Sequence, residues 1–418
     1  MHVCIVGAGV IGTATAWQLA RQGMKVTLLE SGDGPGLGAS YANGGQLSYS
    51  YVAPLAEPGV LPNLPKWLLD RRSPLRFRPR MDPQQWRWCL SFLRHCGGAT
   101  ARQTTAAMLT LSYLSRDTLH QWLDDTPLEF HHRSNGKLIA YRSPELLDKA
   151  RKLVEYQAAH GARQKVLDRR ESVDLEPALA GLGQALAGCV YTPGEEVGDC
   201  HLFTKALYAA LERHPQARLR KHAMVAGLRR RKNRIVAAEL ADGEAIEADH
   251  FVLANGLGAR KLLRRQGGDA MLYGLKGYSL SVPRGPDLGA AVPDISVTDY
   301  ERRIVYAPIG PVLRIAAMVD IGADPGALSP RRIGQLKSQV QETFPALPVD
   351  AAAVWSGERP ATPDGKPVIG RSKAAGNLWL NIGHGALGFT LACGSAALLA
   401  AQLQGGRMPI DPQPFAER

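Results

Sequence analysis

Apolar residues open the chain as a short run, Val3 to Val6, that stops at Gly7-Ala8-Gly9-Val10-Ile11-Gly12. A helix-patterned stretch follows, then a β-rich run from Lys25 to Leu29 closed by Glu30. Short apolar runs bounded by turn residues predict buried strands, and a 3.6-residue period between them predicts a helix. Further along, the same reading predicts helices at Pro83 to Cys96, Thr100 to Leu123, His201 to Arg213 and Arg331 to Phe344. It predicts strands at Gly136 to Tyr141, Gly188 to Tyr191, Tyr278 to Val282 and Ile304 to Tyr306. Arg218 to Phe251 alternates with turns at Arg231–Arg234 and Asp242-Gly243, the pattern of a small β-meander. Phe251 to Leu253 is a buried strand ending at Ala254-Asn255-Gly256, with helix signals to Arg265. Finally Leu378 to Ile382 runs into Gly383-His384-Gly385-Ala386-Leu387-Gly388, and a last helix spans about Thr390 to Leu403.

A strand–glycine–helix unit thus opens the chain and another closes it. The expected class is α/β with an α+β second domain, the two interleaved. One domain takes 1–48, 165–188, 199–268 and 351–418; the other takes 49–164, 189–198 and 269–350.

The opening unit has the order of a dinucleotide-binding fold. Gly7 permits the tight turn, Gly9 admits a pyrophosphate to the backbone, and Gly12 lets the helix pack on the strand. The helix N-terminus offers free N–H groups and a positive dipole end to phosphates. Glu30 stands where a carboxylate accepts from ribose hydroxyls, and its charge disfavours a 2′-phosphate. A glycine-rich strand–helix turn in some other α/β protein is the bland alternative. A second loop, Ser40 to Gln46, offers a hydroxyl in Ser40, an amide in Asn43 and close backbone approach at Gly44 and Gly45. The Gly383–Gly388 loop aims N–H groups at one point, which suits a ring oxygen that gains charge on reduction. Arg359 is the arginine suited to grip a carboxylate in a bidentate fork. Tyr278 could supply a phenol to the same carboxylate, its alternative being sheet packing. His384 by itself reads as a turn residue.

Composition narrows the class. With 418 residues, 45% hydrophobic and 21% charged, the chain exceeds one small core. No apolar run is read as long enough for a membrane span, and the N-terminal run reads as the nucleotide strand rather than a leader, so a cytoplasmic location is expected. Cys4, Cys89, Cys96, Cys189, Cys200 and Cys393 are scattered without a C-x-x-C pair, which points away from disulfides, structural zinc and an iron–sulfur cluster. No metal is expected. The net charge is +12, with basic runs at Arg71, Arg72, Arg76, Arg78 and Arg80 and at Arg229, Arg230, Arg231, Lys232 and Arg234. The first precedes Trp86, Trp88, Leu90, Phe92 and Leu93. A solvated face explains these runs, or a peripheral contact with anionic lipid or an acidic partner. No nucleic-acid motif accompanies the charge.

On these motifs the chain resembles the FAD-dependent D-amino-acid oxidoreductases, most closely the bacterial D-amino acid dehydrogenases. The matching segments are VGAGVIG, ASYANGGQ, APLAEPGV, EEVGDCHLF, LKGYSLSV, WSGERPATPDGKPVIGR and NIGHGALGFTLACGS. The resemblance implies a glutathione-reductase-type FAD domain, non-covalent FAD and a mixed-sheet substrate domain. It implies Gly7, Gly9, Val10, Ile11 and Gly12 at the pyrophosphate, and Glu30 and Ser31 at the ribose. Ser40, Asn43, Gly44, Gly45 and Gln46 fall under the flavin, and Val225 meets the adenine through its backbone. Ala254 and Gly256 lie beside the cofactor, with Gly383, Gly385, Leu387, Gly388 and Thr390 at the pyrimidine edge. Arg359 would bind the substrate carboxylate, with Tyr278 and His384 as further active-site candidates. The implied reaction moves hydride from a D-amino acid Cα to flavin N5, giving an imino acid that water hydrolyses to a 2-oxo acid and ammonia. Electrons then pass to a quinone or a partner subunit. A hydroxyproline dehydrogenase subunit of a hetero-oligomer and a glycine/sarcosine-type oxidase stay open as alternatives.

Overall fold

The computed structural model describes all residues except 71 and 159–162, and at 66–69, 156 and 157 it describes the backbone alone. Arg71 of the first basic run, and residues 159–162 of the expected second domain, lie outside the described residues.

Two sheets organise the chain. The first has six strands in the order Val368–Arg371, Leu378–Ile382, His250–Leu253, His2–Val6, Lys25–Leu29 and Ala217–Arg220. All its pairs are parallel except the first. Its strands are apolar runs because both faces are covered. Helices Val10–Arg21, Cys200–Glu212 and Gly388–Gln404 lie on one face, backed by the long helix Gly98–Asp125. A three-stranded meander, Val225–Arg231, Arg234–Leu240 and Ala245–Glu247, covers the other with helix Ala259–Arg265. The expected meander is therefore shorter: Ala217–Arg220 and His250–Leu253 are drawn into the parallel sheet, where their apolar residues find two-sided burial.

The second sheet has nine strands. Eight run in the order Ala353–Ala361, Tyr273–Pro283, Val312–Ile321, Ile304–Ile309, Ser296–Asp299, Lys137–Tyr141, Gly188–Thr192 and Lys165–Asp168. Leu75–Phe77 pairs with Val312–Ile321. Helix Pro330–Thr343 packs on one face. The strand pairing departs from the expected segment boundaries: Lys165–Asp168 and Ala353–Ala361, placed with the nucleotide half, hydrogen-bond into this sheet. Val312–Ile321 escaped the sequence reading because an arginine and two alanines interrupt its apolar run.

The last helix corrects another expectation. Gly385–Gln404 is long and apolar enough to cross a membrane, yet most of it is buried. It is the core helix between Val10–Arg21 and Gly98–Asp125: a Cβ at Gly394 would lie 2.6 Å from the Leu111 carbonyl oxygen. The first basic run is also less free than its composition implies. Arg72 pairs with Glu342, and Arg78 and Arg80 with Asp324. Trp88 is buried, donating its indole N–H to the Ala361 carbonyl. Met81, Trp86 and Leu90 face outward.

Candidate active site

The carboxyl ends of the parallel strands His2–Val6, Lys25–Leu29, His250–Leu253 and Leu378–Ile382 meet at one edge, where ligands of such sheets bind. Gly7 takes φ +100°, and a Cβ there would lie 2.6 Å from the Asn255 Cα; one on Gly12 would lie 1.8 Å from the Gly7 carbonyl oxygen. These two glycines set the turn and the helix–strand contact. Gly9 instead faces open space, its nearest neighbour being Ser40 Oγ at 3.5 Å from an added Cβ. The Val10 amide at the helix start donates to Ser40 Oγ at 3.1 Å, and Ile11 follows in the first turn. Glu30 accepts from the Ala8 amide (2.8 Å), the Gly32 amide (2.9 Å) and the Ser31 hydroxyl (3.2 Å). Among the described residues it has no cationic partner. The Ala223 amide donates to the Glu30 carbonyl, which brings Val225, two residues on, to the same end of the fold.

The next two strand ends complete the edge. The Ala254 amide bonds to the Val6 carbonyl, and Gly256 turns the chain with φ +56°. Gly383 (φ +84°) and Gly385 (φ +55°) lead through Leu387 into the helix that starts at Gly388, whose N-terminus carries no side-chain cap. Thr390 Oγ1 donates to the Gln46 carbonyl and accepts from the Ser48 amide, both at 3.3 Å, tying this helix to the Ser40–Gln46 loop. Asn255 Oδ1 and Asn381 Oδ1 at these strand ends, and Gln46 Nε2 on the loop tied to them, are buried without a partner among the described residues. Buried polar atoms are normally bonded. Three orphans on one edge fit a polar ligand lying there.

The Ser40–Gln46 loop rests on the nine-stranded sheet. Ser279 Oγ donates to the Ala42 carbonyl (2.7 Å) and Arg314 Nη1 to the Asn43 carbonyl (3.1 Å). A Cβ at Gly45 would clash with Ile309 and one at Gly44 would just touch Ala316, so the loop backbone lies against the sheet. Arg359 stands on that same sheet face. Gly277 pairs with Gly357. The Arg359 guanidinium lies over Gly277, its Nη2 2.3 Å from where a Cβ would be, and the Trp355 indole lies over Gly357. The two facing glycines are the floor that admits both groups.

Arg359 donates to the Met318 carbonyl at 2.8 Å. A β-bulge opposite Gly277 puts Met318 at φ +69°, a conformation that re-aims the local backbone. No carboxylate lies within ion-pair distance of Arg359 among the described residues. Desolvation alone lowers its pKa to about 10, so it stays charged at neutral pH. The residue still keeps accessible surface. A guanidinium deep in the molecule, charged, exposed to space and lacking an acid, is shaped to receive a carboxylate.

Two candidates fall elsewhere. Tyr278, next in sequence to Gly277, points to the opposite sheet face, because strand side chains alternate. There it packs under helix Pro330–Thr343 and donates to Asp320 at 3.0 Å. His384 is buried with Nε2 3.0 Å from Ser395 Oγ, and burial lowers its pKa to about 3, which keeps the ring neutral. Its contribution is backbone: it bridges to Ala361, stapling the Gly383–Gly388 loop to the Arg359 strand. The sequence reading missed Gly277, Gly357, Trp355, Met318 and Lys137. Lys137 is buried, donates to Ser48 Oγ at 2.9 Å and lies over the Tyr51 ring. Desolvation lowers its pKa to about 8, opposed by Glu195. The glycines within WSGER and LKGYS were the available signal, but their pairing is not visible before the register is known.

With the geometry in view, comparison with known proteins places the chain. It is 49% identical to D-amino acid dehydrogenase 2 of Pseudomonas aeruginosa, over 98% of this chain and 95% of that protein. It is 46% identical to D-amino acid dehydrogenase 2 of Ralstonia nicotianae, over 100% and 99%. The fold resembles glycine oxidase from Geobacillus kaustophilus (TM-score 0.77, 23% identity, 100% of this chain and 98% of that one). It also resembles L-proline dehydrogenase from P. horikoshii (TM-score 0.73, 15% identity, 100% and 96%). Residues 2–402 match the family of FAD dependent oxidoreductases, and the chain belongs to it.

Proposed function

We propose that this chain is an FAD-dependent D-amino acid dehydrogenase, converting D-amino acids to 2-oxo acids and ammonia. The observation that carries this reading is Arg359, a charged guanidinium without an acid on the sheet face that seats the Ser40–Gln46 loop. Full-length relatives bearing the name D-amino acid dehydrogenase support the choice of substrate class.

FAD fits the residues present. Gly7, Gly9, Val10, Ile11 and Gly12 would hold the pyrophosphate, Glu30 and Ser31 the ribose, and Val225 the adenine through its backbone. Ser40, Asn43, Gly44, Gly45 and Gln46, with Ala254 and Gly256, would line the flavin. Gly383, Gly385, Leu387, Gly388 and Thr390 would meet its pyrimidine edge. Bound FAD would supply the hydride acceptor for the substrate Cα–H. Arg359 fixes the carboxylate, so that Cα is presented in one orientation rather than many. Trp355 shields the same floor from water. His384 and Tyr278 hold the walls in place and do not touch the substrate. FAD is held non-covalently: Cys393, near the Gly383–Gly388 loop in sequence, is buried and its thiol is pushed far up by burial.

Electrons leave to a quinone or a partner subunit, and the protein works at the cytoplasmic face of the membrane. Outward-facing Met81, Trp86 and Leu90 beside the arginines of 72–80 support peripheral attachment. Anaerobic addition of D-alanine, D-hydroxyproline or L-alanine to the purified yellow protein tests the assignment. D-Alanine should bleach the flavin, and acid precipitation should release FAD to the supernatant. Bleaching by D-hydroxyproline alone would make it a cyclic imino-acid dehydrogenase, and bleaching by none would end the enzymatic reading.

A further inference from the structure

We propose that His120, His132 and Glu196 form a divalent-metal site of the zinc type, separate from the amino-acid site. The three come from distant parts of the chain. His120 lies on helix Gly98–Asp125, His132 in the segment beyond it, and Glu196 in the short strand Glu196–Val197. Nε2 of His120 is 2.6 Å from Oε1 of Glu196, and Nε2 of His132 is 3.0 Å from Oε2. The candidate ligand atoms all lie within 4.8 Å of one another.

The charge balance around Glu196 is the second observation. Its side chain is 4% exposed. Among the described residues no lysine or arginine lies within 4.0 Å of it; besides the two imidazoles it is bonded by the Tyr49 hydroxyl at 2.8 Å. Glu196 is therefore a buried carboxylate whose close neighbours, among the described residues, are two imidazoles and a phenol rather than a lysine or arginine. A buried charge without a counter-charge is costly, and a divalent cation supplies one.

Two imidazoles and one carboxylate are a zinc ligand set with one position open, and the absence of thiolates and of further oxygens disfavours copper(I), calcium and magnesium. Ligands at about 2.0–2.2 Å from zinc sit roughly 3.3–3.5 Å apart, so the two histidine–carboxylate contacts would widen by less than about 1 Å, while any ligand pair near the 4.8 Å limit of the cluster would close by about as much. Each ring must offer an Nε2 lone pair, its proton moving to the outward Nδ1. His120 is the exposed member and leaves a way in for the ion and for a water in the fourth position. The scattered cysteines spoke against thiolate zinc and are silent on this set, whose members share no sequence motif. The site adjoins the flavin-facing loop: Glu196 pairs with Leu47 and Val197 with Gln46. A bound ion would clamp the strand that carries Gln46.

Titration of tag-free protein with Zn2+ against a chromophoric chelator tests this. One ion per chain should bind. His120→Ala, at an exposed position, and Glu196→Gln, which keeps the shape, should each weaken binding at least about tenfold. Co2+ should give the visible bands of a tetrahedral complex in the parent protein and lose them in both variants, with unchanged circular dichroism showing that they fold. Absence of stoichiometric binding, or equal affinity in parent and variants, overturns the proposal.

Discussion

The two faces of the nine-stranded sheet each hold an arginine out of bulk water, and the two are handled in opposite ways. Arg332, which projects from helix Pro330–Thr343 onto one face, is 3% exposed and ion-paired to Asp320 at 2.7 Å. It also donates to the carbonyl oxygens of Ser73 and Pro74 and to Gln335. Arg359, on the face toward the Ser40–Gln46 loop, has among the described residues one carbonyl, that of Met318, and no acid. Desolvation lowers both pKa values, but only around Arg332 does an anion of the protein oppose it. An arginine that comes with its counter-charge is architecture. One without it costs stability that folding does not recover, and is retained where a ligand brings the missing charge.

The contrast can be broken most sharply at Arg332. Arg332→Met leaves Asp320 buried without its cation, which should cost about 3–5 kcal/mol. Chemical denaturation of the holoprotein measures this, and a loss below about 1 kcal/mol would deny Arg332 its structural role. Arg359→Met should cost no stability, because no acid is orphaned.

Lys137 is a third buried cation and sharpens the comparison through pH. Its pKa falls from the ordinary 10.5 to about 8, mainly by desolvation. Below pH 8 the folded state carries the full penalty of a buried ammonium. Between pH 8 and 10.5 the unfolded chain holds the proton that the folded chain has released, so this group makes stability rise with pH. The rise amounts to at most about 3 kcal/mol. Relative to Lys137→Met, the parent should gain stability as pH rises across the window. A difference independent of pH would mean that Lys137 titrates normally.

Next comes the activity carried by Arg359. Arg359→Lys keeps the charge and loses the fork, removing about 2–3 kcal/mol of transition-state binding, roughly 30- to 150-fold in kcat/KM. KM should rise, and kcat should fall with it because Cα is aimed less well. Unchanged kcat/KM for the best D-amino acid would place the carboxylate elsewhere and remove the contrast with Arg332.

How much of this was legible beforehand follows from the range of the interactions. The strand–glycine–helix units at Gly7–Gly12 and Gly383–Gly388 could be read because turn, packing and helix start are local. Glu30 followed from its fixed place after the second strand. Arg359 stood out by motif, and Arg332 fell in a predicted helix, yet nothing local says which of them has a counter-charge: Asp320 meets Arg332 only once the helix docks on the sheet. The same holds for the Gly277–Gly357 floor and for the bulge at Met318, which exist only once Tyr273–Pro283 has paired with both neighbours. Strand membership of Lys165–Asp168 and Ala353–Ala361 was hidden for the same reason.

The smallest effect tests the face assignment itself. Tyr278 follows Gly277 immediately and looked like a neighbour of Arg359, but alternation turns it to the Asp320–Arg332 side. Asp320 keeps Arg332 when the phenol is lost, and burial plus that carboxylate raise the Tyr278 pKa to about 12, so no proton leaves it near neutral pH. Tyr278→Phe removes one hydrogen bond to a charged acceptor and leaves the ring's packing intact. The expected cost is about 1–2 kcal/mol of stability. With D-alanine, kcat and KM should each stay within about twofold of the parent values, since an interaction absent from the transition state contributes nothing to it. A tenfold fall in kcat/KM at unchanged stability would put the phenol in the substrate pocket. The two faces of the sheet would then no longer divide into architecture and chemistry.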